Sequence, residues 1–456
     1  MKKTTKVLLG IGGIIVLSYP GIAWVTGMVI ESRLQHSEQQ ALERLPYITV
    51  VKREYHRGVY QSTALTTYAF RSPALPGNKA GSAAAALLSS FTITVASNIH
   101  HGPFPGWHAP ALGVIDSTVT MPAVQQELAA VIGSKPPLQL QTTIDLLGGA
   151  TSDLTSPAFS LRLSDGSQLA WGGLTGSFYA TRDQTRVSGR LSAPRISFQG
   201  PHGSFELTAA GYSGSEQQAF GALYLGTGTF TIERVDGSGP RPGSDFSLQR
   251  ISINTTSKAD GDFFDMRVDM GADAAKVAAV QLTNVMYSES FEHVHGPTLV
   301  SMVQAIRTAQ AQSIGDPAQL QAGIQSAFRR YGPDLLSRNP VLDIHQVSFT
   351  MPEGSFLLSA RISAPGLSPA DLQWPAAIMA LRTHAEVTAD LKVDNGLLQR
   401  LLAMGGSNPK VAAQLTSFEQ QGYLTAGPAA VSTHLEFSAG RVTLNGHPFP
   451  PAAPVN

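Results

Sequence analysis

The sequence predicts an α+β, β-dominated fold: extended antiparallel sheets with several short helices, preceded by one N-terminal transmembrane helix. Three observations lead there. Only 14% of the 456 residues are charged while 43% are hydrophobic, which argues against charge-rich disorder and coiled coil. Glycine and proline, 44 and 29 in number, are spread without a three-residue period, so the chain is cut into many short elements joined by turns. An apolar run near the start, residues 7–30, has no ionisable side chain between Lys6 and Glu31. A chain of this length holds two or three domains. Lys+Arg and Asp+Glu are equal at 32 each, so the formal net charge of +0 gives no bulk attraction to nucleic acid.

Residues 1–6, with Lys2, Lys3 and Lys6, read as a cytoplasmic N-terminus, because lysines stay on the cytoplasmic side of a span. As a helix, residues 7–30 would reach about 36 Å, against a hydrocarbon core of about 30 Å. Trp24 suits the far interface, and Pro20-Gly21 marks a kink or the end of a shorter apolar region. A signal peptide would need a shorter apolar region and a small-x-small cleavage site, so the reading is an uncleaved, single-pass anchor. The glycines at 10, 12, 13, 21 and 27 would permit helix contact and homo-oligomers, although none forms a convincing G-x-x-x-G pair. With the three lysines set aside, the exported part carries 29 basic and 32 acidic residues, about −3 in net charge. It has no cysteine, which removes any disulfide framework and any thiolate chemistry.

Residues 31–46 form a stalk helix, with Leu34, Ala41, Leu42 and Leu45 near one face before Pro46. A β-rich periplasmic region spans 47–240. It opens with a hairpin, 50–55 and 59–64, divided by Arg57-Gly58. A mobile insertion follows at 71–90, rich in Pro, Gly, Ser and Ala. Phe91, Ile93, Val95, Ser97 and Ile99 alternate with a more polar set, which is a strong strand signal. A short helix over 122–132 stops at Gly133. Short amphipathic strands then repeat to residue 235, with Asp165-Gly166 as a hairpin turn and glycines between strands.

A second α+β region spans 241–456, with strands near 246–254 and 263–270 around Asp260-Gly261. Helices at 298–312 and 317–331 follow, the second capped by Asp316 with Pro317 at its first position. Strands at 341–351 and 356–363, helices at 397–403 and 409–420, and strands near 429–437 and 441–445 complete the chain.

One pattern recurs. Ile99-His100-His101-Gly102-Pro103 is echoed by Phe291-Glu292-His293-Val294-His295-Gly296-Pro297, and each His-Gly-Pro closes a strand, as an internal duplication would have it. Taken with the charged start and apolar anchor, Tyr55-His56-Arg57-Gly58 in the first hairpin, and the terminal Gly440-Arg441-Val442-Thr443-Leu444-Asn445-Gly446, the chain resembles the YdgA-like bacterial envelope proteins over nearly its whole length. The resemblance implies a bacterial inner-membrane protein, N-terminus cytoplasmic and bulk periplasmic, of unknown function. It assigns no role to the positions that carry it: Arg57, Gly58, His101, Gly102, Pro103, His295, Gly296, Pro297, Asn445 and Gly446.

Candidate chemistry is sparse. His293 and His295, two apart on a strand, would share a face and could ligate a transition metal with His100, His101 or His108, yet there is no cysteine and no His-Glu-x-x-His. The glycine after each His-Gly-Pro histidine fits a tight strand exit without metal. Asp260, Asp262, Asp265 and Asp269 lack the spacing of a calcium loop and read as a turn and a solvated face. No Gly-x-Ser-x-Gly is present, and Gly226-Thr227-Gly228 precedes a strand where a phosphate loop should follow one. The reading assigns no catalytic, cofactor-binding or metal residue and no nucleic-acid partner. It expects a non-enzymatic, membrane-anchored interaction or assembly module of the cell envelope. Binding or transfer of lipid or another hydrophobic envelope component is the alternative, since amphipathic strands can curl around an apolar trough, and a metal-dependent hydrolase is the remote one.

Overall fold

The computed structural model describes residues 3–449 apart from 46, 72–89, 108, 123–124, 134, 163–165, 202, 242, 314–315, 374–375 and 405–408. Twenty-two strands and seven α-helices are found among the described residues. The chain divides into two compact units. The first is made of residues 1–164, 168–194 and 304–324, and the second of 165–167, 195–303 and 325–456.

In the first unit a single helix, α1 (Lys3–Arg44), precedes an antiparallel meander. Its strands are β1 (Ile48–Arg57), β2 (Gln61–Arg71), β3 (Ser90–His101), β4 (Gly113–Thr120), β5 (Leu138–Ile144) and β6 (Ala150–Ser156). Each pairs with the next, and β6 pairs with β9 (Leu174–Ala180), which pairs with the first half of β10 (Arg186–Gly200). The strands β7 (Phe159–Arg162) and β8 (Gln168–Trp171) form a further hairpin, whose β8 also pairs with β10. Helix α2 (Gln125–Ile132) ends where Gly133, at φ 65°, donates its N–H to Ala129. Apart from Arg71 and Ser90, which close β2 and open β3, the expected insertion lies outside the described residues.

The expected transmembrane helix over 7–30 is overturned. Among the described residues, no helix is long and apolar enough to cross a membrane. Packing shows a reason in residues 19–30, which are docked on the sheet. Ile30 is 0% exposed and shares a core with Ile99, Ile115 and Ile144, flanked by Leu34, Tyr55, Ala64 and Leu112. Ala23 is buried, the Tyr19 ring stacks on Tyr60 and Trp107, and the Tyr19 hydroxyl donates to the Phe104 carbonyl at 3.0 Å. The same helix carries charge onward: Glu31 pairs with Arg57, Glu38 with Arg53, and Arg33 donates to the Gly148 carbonyl at 3.1 Å. One face of this segment is committed to the sheet, while Ile22, Val25, Met28 and Val29 on the other face stay exposed.

In the second unit a longer meander runs β11 (Gly203–Phe220), β12 (Leu223–Ser238), β13 (Phe246–Asp260), β14 (Phe263–Val277), β15 (Val280–His295), β16 (Val341–Met351), β17 (Gly354–Ser363) and β18 (Glu386–Asp394). It finishes through β20 (Ala430–Ser438), β21 (Arg441–Leu444) and β22 (His447–Phe449), with the two-residue β19 (Thr425–Ala426) on β20. Helices α3 (Gly296–Gln312) and α4 (Pro317–Ser337) are each divided between the two units, and α5 (Ala376–His384), α6 (Asn395–Met404) and α7 (Pro409–Gln420) lie in this one. Asp316 caps α4 as its sequence predicts, accepting the N–H groups of Ala318 and Gln319, both at 3.0 Å.

The strands β11 to β15 are 15 to 18 residues long, well beyond the short segments that the glycine spacing suggests. Glycine here does not end a strand. Gly214 stands opposite Gly228, and a β-carbon at Gly226 would strike the Ser215 carbonyl, so these glycines let β11 and β12 approach inside one ladder. Two buried clusters hold the unit: Leu225, Phe264 and Val294, and separately Met351, Val393 and Leu397.

Candidate functional site

The positions carrying the resemblance are fasteners at element ends. Arg57 closes β1, where it pairs with Glu31 and its guanidinium lies 5.4 Å from the Trp24 ring centroid. Gly58 leaves no room for a side chain beside the Gln61 carbonyl. His101 is 1% exposed. Its Nδ1–H donates to the Val59 carbonyl at 2.9 Å, which fixes the tautomer and leaves Nε2 to accept from the Ser62 hydroxyl, also at 2.9 Å. Gly102 closes on the Ala111 carbonyl, and the bond from Gly102 to Pro103 is cis.

The second His-Gly-Pro uses the same parts. His295 is buried, its Nδ1–H donates to Thr298 Oγ1 at 2.8 Å, and the Thr298 hydroxyl donates on to Asp334. Gly296 faces the Phe220 ring with no space for a β-carbon, and Pro297 follows it in the first turn of α3. Asn445 takes φ 48°, accepts the His434 N–H through Oδ1 at 2.8 Å and donates to the Gly422 carbonyl at 3.2 Å. Gly446, at φ 78°, completes that turn.

The candidate ligands are not gathered. His293 has a left-handed backbone (φ 56°) and stacks on Phe263 at 3.9 Å, while His100 faces Asp116 at 3.6 Å and His108 lies outside the described residues. Among the described residues no group of three or more His, Cys, Asp or Glu side chains could hold a metal ion. The aspartates disperse likewise: Asp260 and Gly261 lie at the turn between β13 and β14, the Asp262 carbonyl accepts the Gly296 N–H at 2.8 Å, and Asp265 accepts that of His293 at 2.9 Å.

Two surfaces stand out among the described residues. In the first unit, the sheet face opposite α1 opens into a cleft of about 280 Å³. Alternation puts Tyr55, Ser62, Ala64 and Ile99 on the α1 side, so Glu54, His56, Leu65, Ala96, Asn98 and Asp116 are left to line the open side. The carboxylates are not bare, since Lys52 pairs with Glu54 at 2.7 Å and Gln141 donates to Asp116 at 2.7 Å.

In the second unit, a continuous polar ladder crosses β14 to β17. Arg267 binds Asp269 at 3.0 Å, and that contact chiefly holds the Asp269 carboxyl below the usual carboxylate range. Ser288 donates to Asp269 at 2.6 Å. Ser290 lies within 3.0 Å of His345 Nε2, and Arg361 joins Asp343 at 2.5 Å and Glu292 at 3.0 Å. The Asp343 contact is the main reason the Arg361 guanidinium is held above its ordinary value. Sequence reasoning missed this group. Its one linear trace is Asp343-x-His345, two residues that a strand puts on one face.

A family model described as "Bacterial protein of unknown function (DUF945)" matches residues 1–452. No curated protein and no solved structure matches the chain.

Proposed function

The chain belongs to this bacterial family of unknown function, and from that premise we propose that it works as an interaction or assembly module of the bacterial cell envelope, with the open sheet face of the first unit as its ligand surface. The cleft opposite α1 carries this reading. An antiparallel sheet commonly buries one face and leaves the other to water, and a concave face with a few convergent polar groups around apolar ones is what a binding surface needs. The likeness of the first hairpin, the two His-Gly-Pro exits and the Asn445-Gly446 turn to YdgA-like envelope proteins supports work at the envelope. Leu65 and Ala96 within the cleft favour, as a second reading, a lipid or other hydrophobic envelope component as the ligand.

The test is native mass spectrometry of the purified full chain followed by organic extraction, with photocrosslinking from Asn98. A stoichiometric ligand or a discrete crosslinked partner, lost in Ala96→Arg, supports the cleft; lipid in the extract selects the second reading. A chain that carries nothing and crosslinks to nothing from position 98, or a ligand retained by Ala96→Arg, overturns it.

A further inference from the structure

On the second unit, β15 and β16 bring a serine, a histidine and an aspartate into one row. Ser290 stands opposite Asp343 in the ladder. His345 has no Cα partner on β15, because the register shifts between Ser288 and Glu289, and it falls within a second shift, between Ile344 and Val347, against β17. An extra residue of this kind re-aims a side chain, and such bulges recur next to active sites. The His345 ring reaches both neighbours: Nε2 lies 3.0 Å from Ser290 Oγ and Nδ1 lies 3.4 Å from Asp343 Oδ1. Nδ1 is the ring nitrogen that faces the carboxylate, and with the ring proton on Nδ1 the Nε2 lone pair is free to accept the serine proton. Glu292 competes for that proton from 3.2 Å, a longer contact.

The surroundings suit the chemistry. Ser290 is 7% exposed, whereas the His345 side chain keeps 32% of its surface in solvent, so a compact acyl group approaches over the imidazole. Arg267 stands directly across the ladder from Ser290, and Arg361 is held beside Asp343 and Glu292. Both guanidinium groups are paired, Arg267 with Asp269 and Ser288 and Arg361 with Asp343 and Glu292, so any positive charge they lend to an oxyanion at the serine is shared with those carboxylates.

We propose that Ser290, with His345 as its base and Asp343 as the positioning residue, performs acyl transfer on a compact carboxylic ester. Ser290 Oγ bonds to the acyl carbon while its proton passes to His345 Nε2. The bond to the leaving alcohol then breaks, and the alcohol takes that proton. Water adds to the acyl-serine, gives a proton to His345, and the acid departs as Ser290 Oγ regains it. Ester and water become acid and alcohol, and no other reactant is consumed. This site is independent of the cleft on the first unit, and neither proposal falls with the other.

The test uses the full chain and a fluorophosphonate probe, with peptide mapping of the adduct. The expected result is labelling at Ser290, abolished by Ser290→Ala and slowed about a hundredfold by His345→Ala. The absence of native cysteine allows a second measurement. Ser290→Cys has a single thiol, whose iodoacetamide alkylation should show a pH profile shifted toward acid, returning to that of a free thiol when His345→Ala is added. In the same background Asp343→Asn should move the profile part of the way and Asp343→Glu restore it. No probe adduct at Ser290, labelling as fast in His345→Ala, or a thiol profile indifferent to His345 each overturns the proposal.

Discussion

Gly27 of α1 lies against the imidazole of His101 of β3: a β-carbon at position 27 would sit 2.5 Å from Cε1 and 2.7 Å from Nδ1. The ring cannot retreat, because Val59 and Ser62 hold its two nitrogens. Alanine in a helix interior normally gains about 1 kcal/mol over glycine. Here the overlap costs about 1–3 kcal/mol or more. Gly27→Ala is therefore expected to lower stability by up to about 2 kcal/mol, measured by denaturant unfolding of the full chain. A stabilised variant would show that α1 is not seated on His101.

Ser62→Ala removes the hydroxyl that satisfies His101 Nε2 at a fully buried position. An orphaned buried acceptor costs about 1–3 kcal/mol. The variant should unfold at correspondingly lower denaturant with its m-value unchanged. Equal stability would place water at the ring.

Asn445 combines a left-handed backbone with two side-chain bonds. Alanine loses the bonds and strains the backbone, so Asn445→Ala should cost about 2 kcal/mol. Glycine keeps the conformation free, and Asn445→Gly should cost about half of that. The order of the two melting temperatures is the readout, and alanine above glycine would deny the conformational role.

The turn joining β9 to β10 predicts a pH dependence. Asp183 accepts the Thr181 hydroxyl at 2.7 Å, the Thr185 N–H at 3.1 Å and the Thr185 hydroxyl at 2.9 Å, and these bonds, led by Thr181, bring its carboxyl down to about 2 from 3.8. A carboxyl with a depressed folded value adds stability above its unfolded value and loses it as pH falls through the folded one. The contribution of Asp183 is complete above about pH 4 and fades toward pH 2. Asp183→Asn should accordingly flatten the fall of the melting temperature across that interval, and parallel curves would rule the bonds out.

Local signals were readable wherever one residue decides a local event. Asp316-Pro317 starts α4, Gly133 ends α2, and the alternation around Ile99 puts one face of β3 in the core. Length along the strands was not readable. A glycine such as Gly226 breaks a pattern in one dimension, yet in the sheet it is the residue that lets a neighbouring carbonyl come close. The group of Ser290, His345 and Asp343 was invisible for a related reason. The serine lies some fifty residues before its partners, and only the register of β15 on β16, including its shift, brings them into one row.

By itself the sequence determined the β-dominated class, the helix caps, the turns and the echo between two strand exits, because each depends on dihedral preference or on the period of a single segment. The tertiary structure alone decided what those segments face. It seated residues 19–30 of an apolar run on a sheet, placed both His-Gly-Pro histidines against buried hydroxyls, and left the opposite face of the first unit open. Apolar surface is favourable to bury against any apolar partner, and periodicity carries no record of which partner that is.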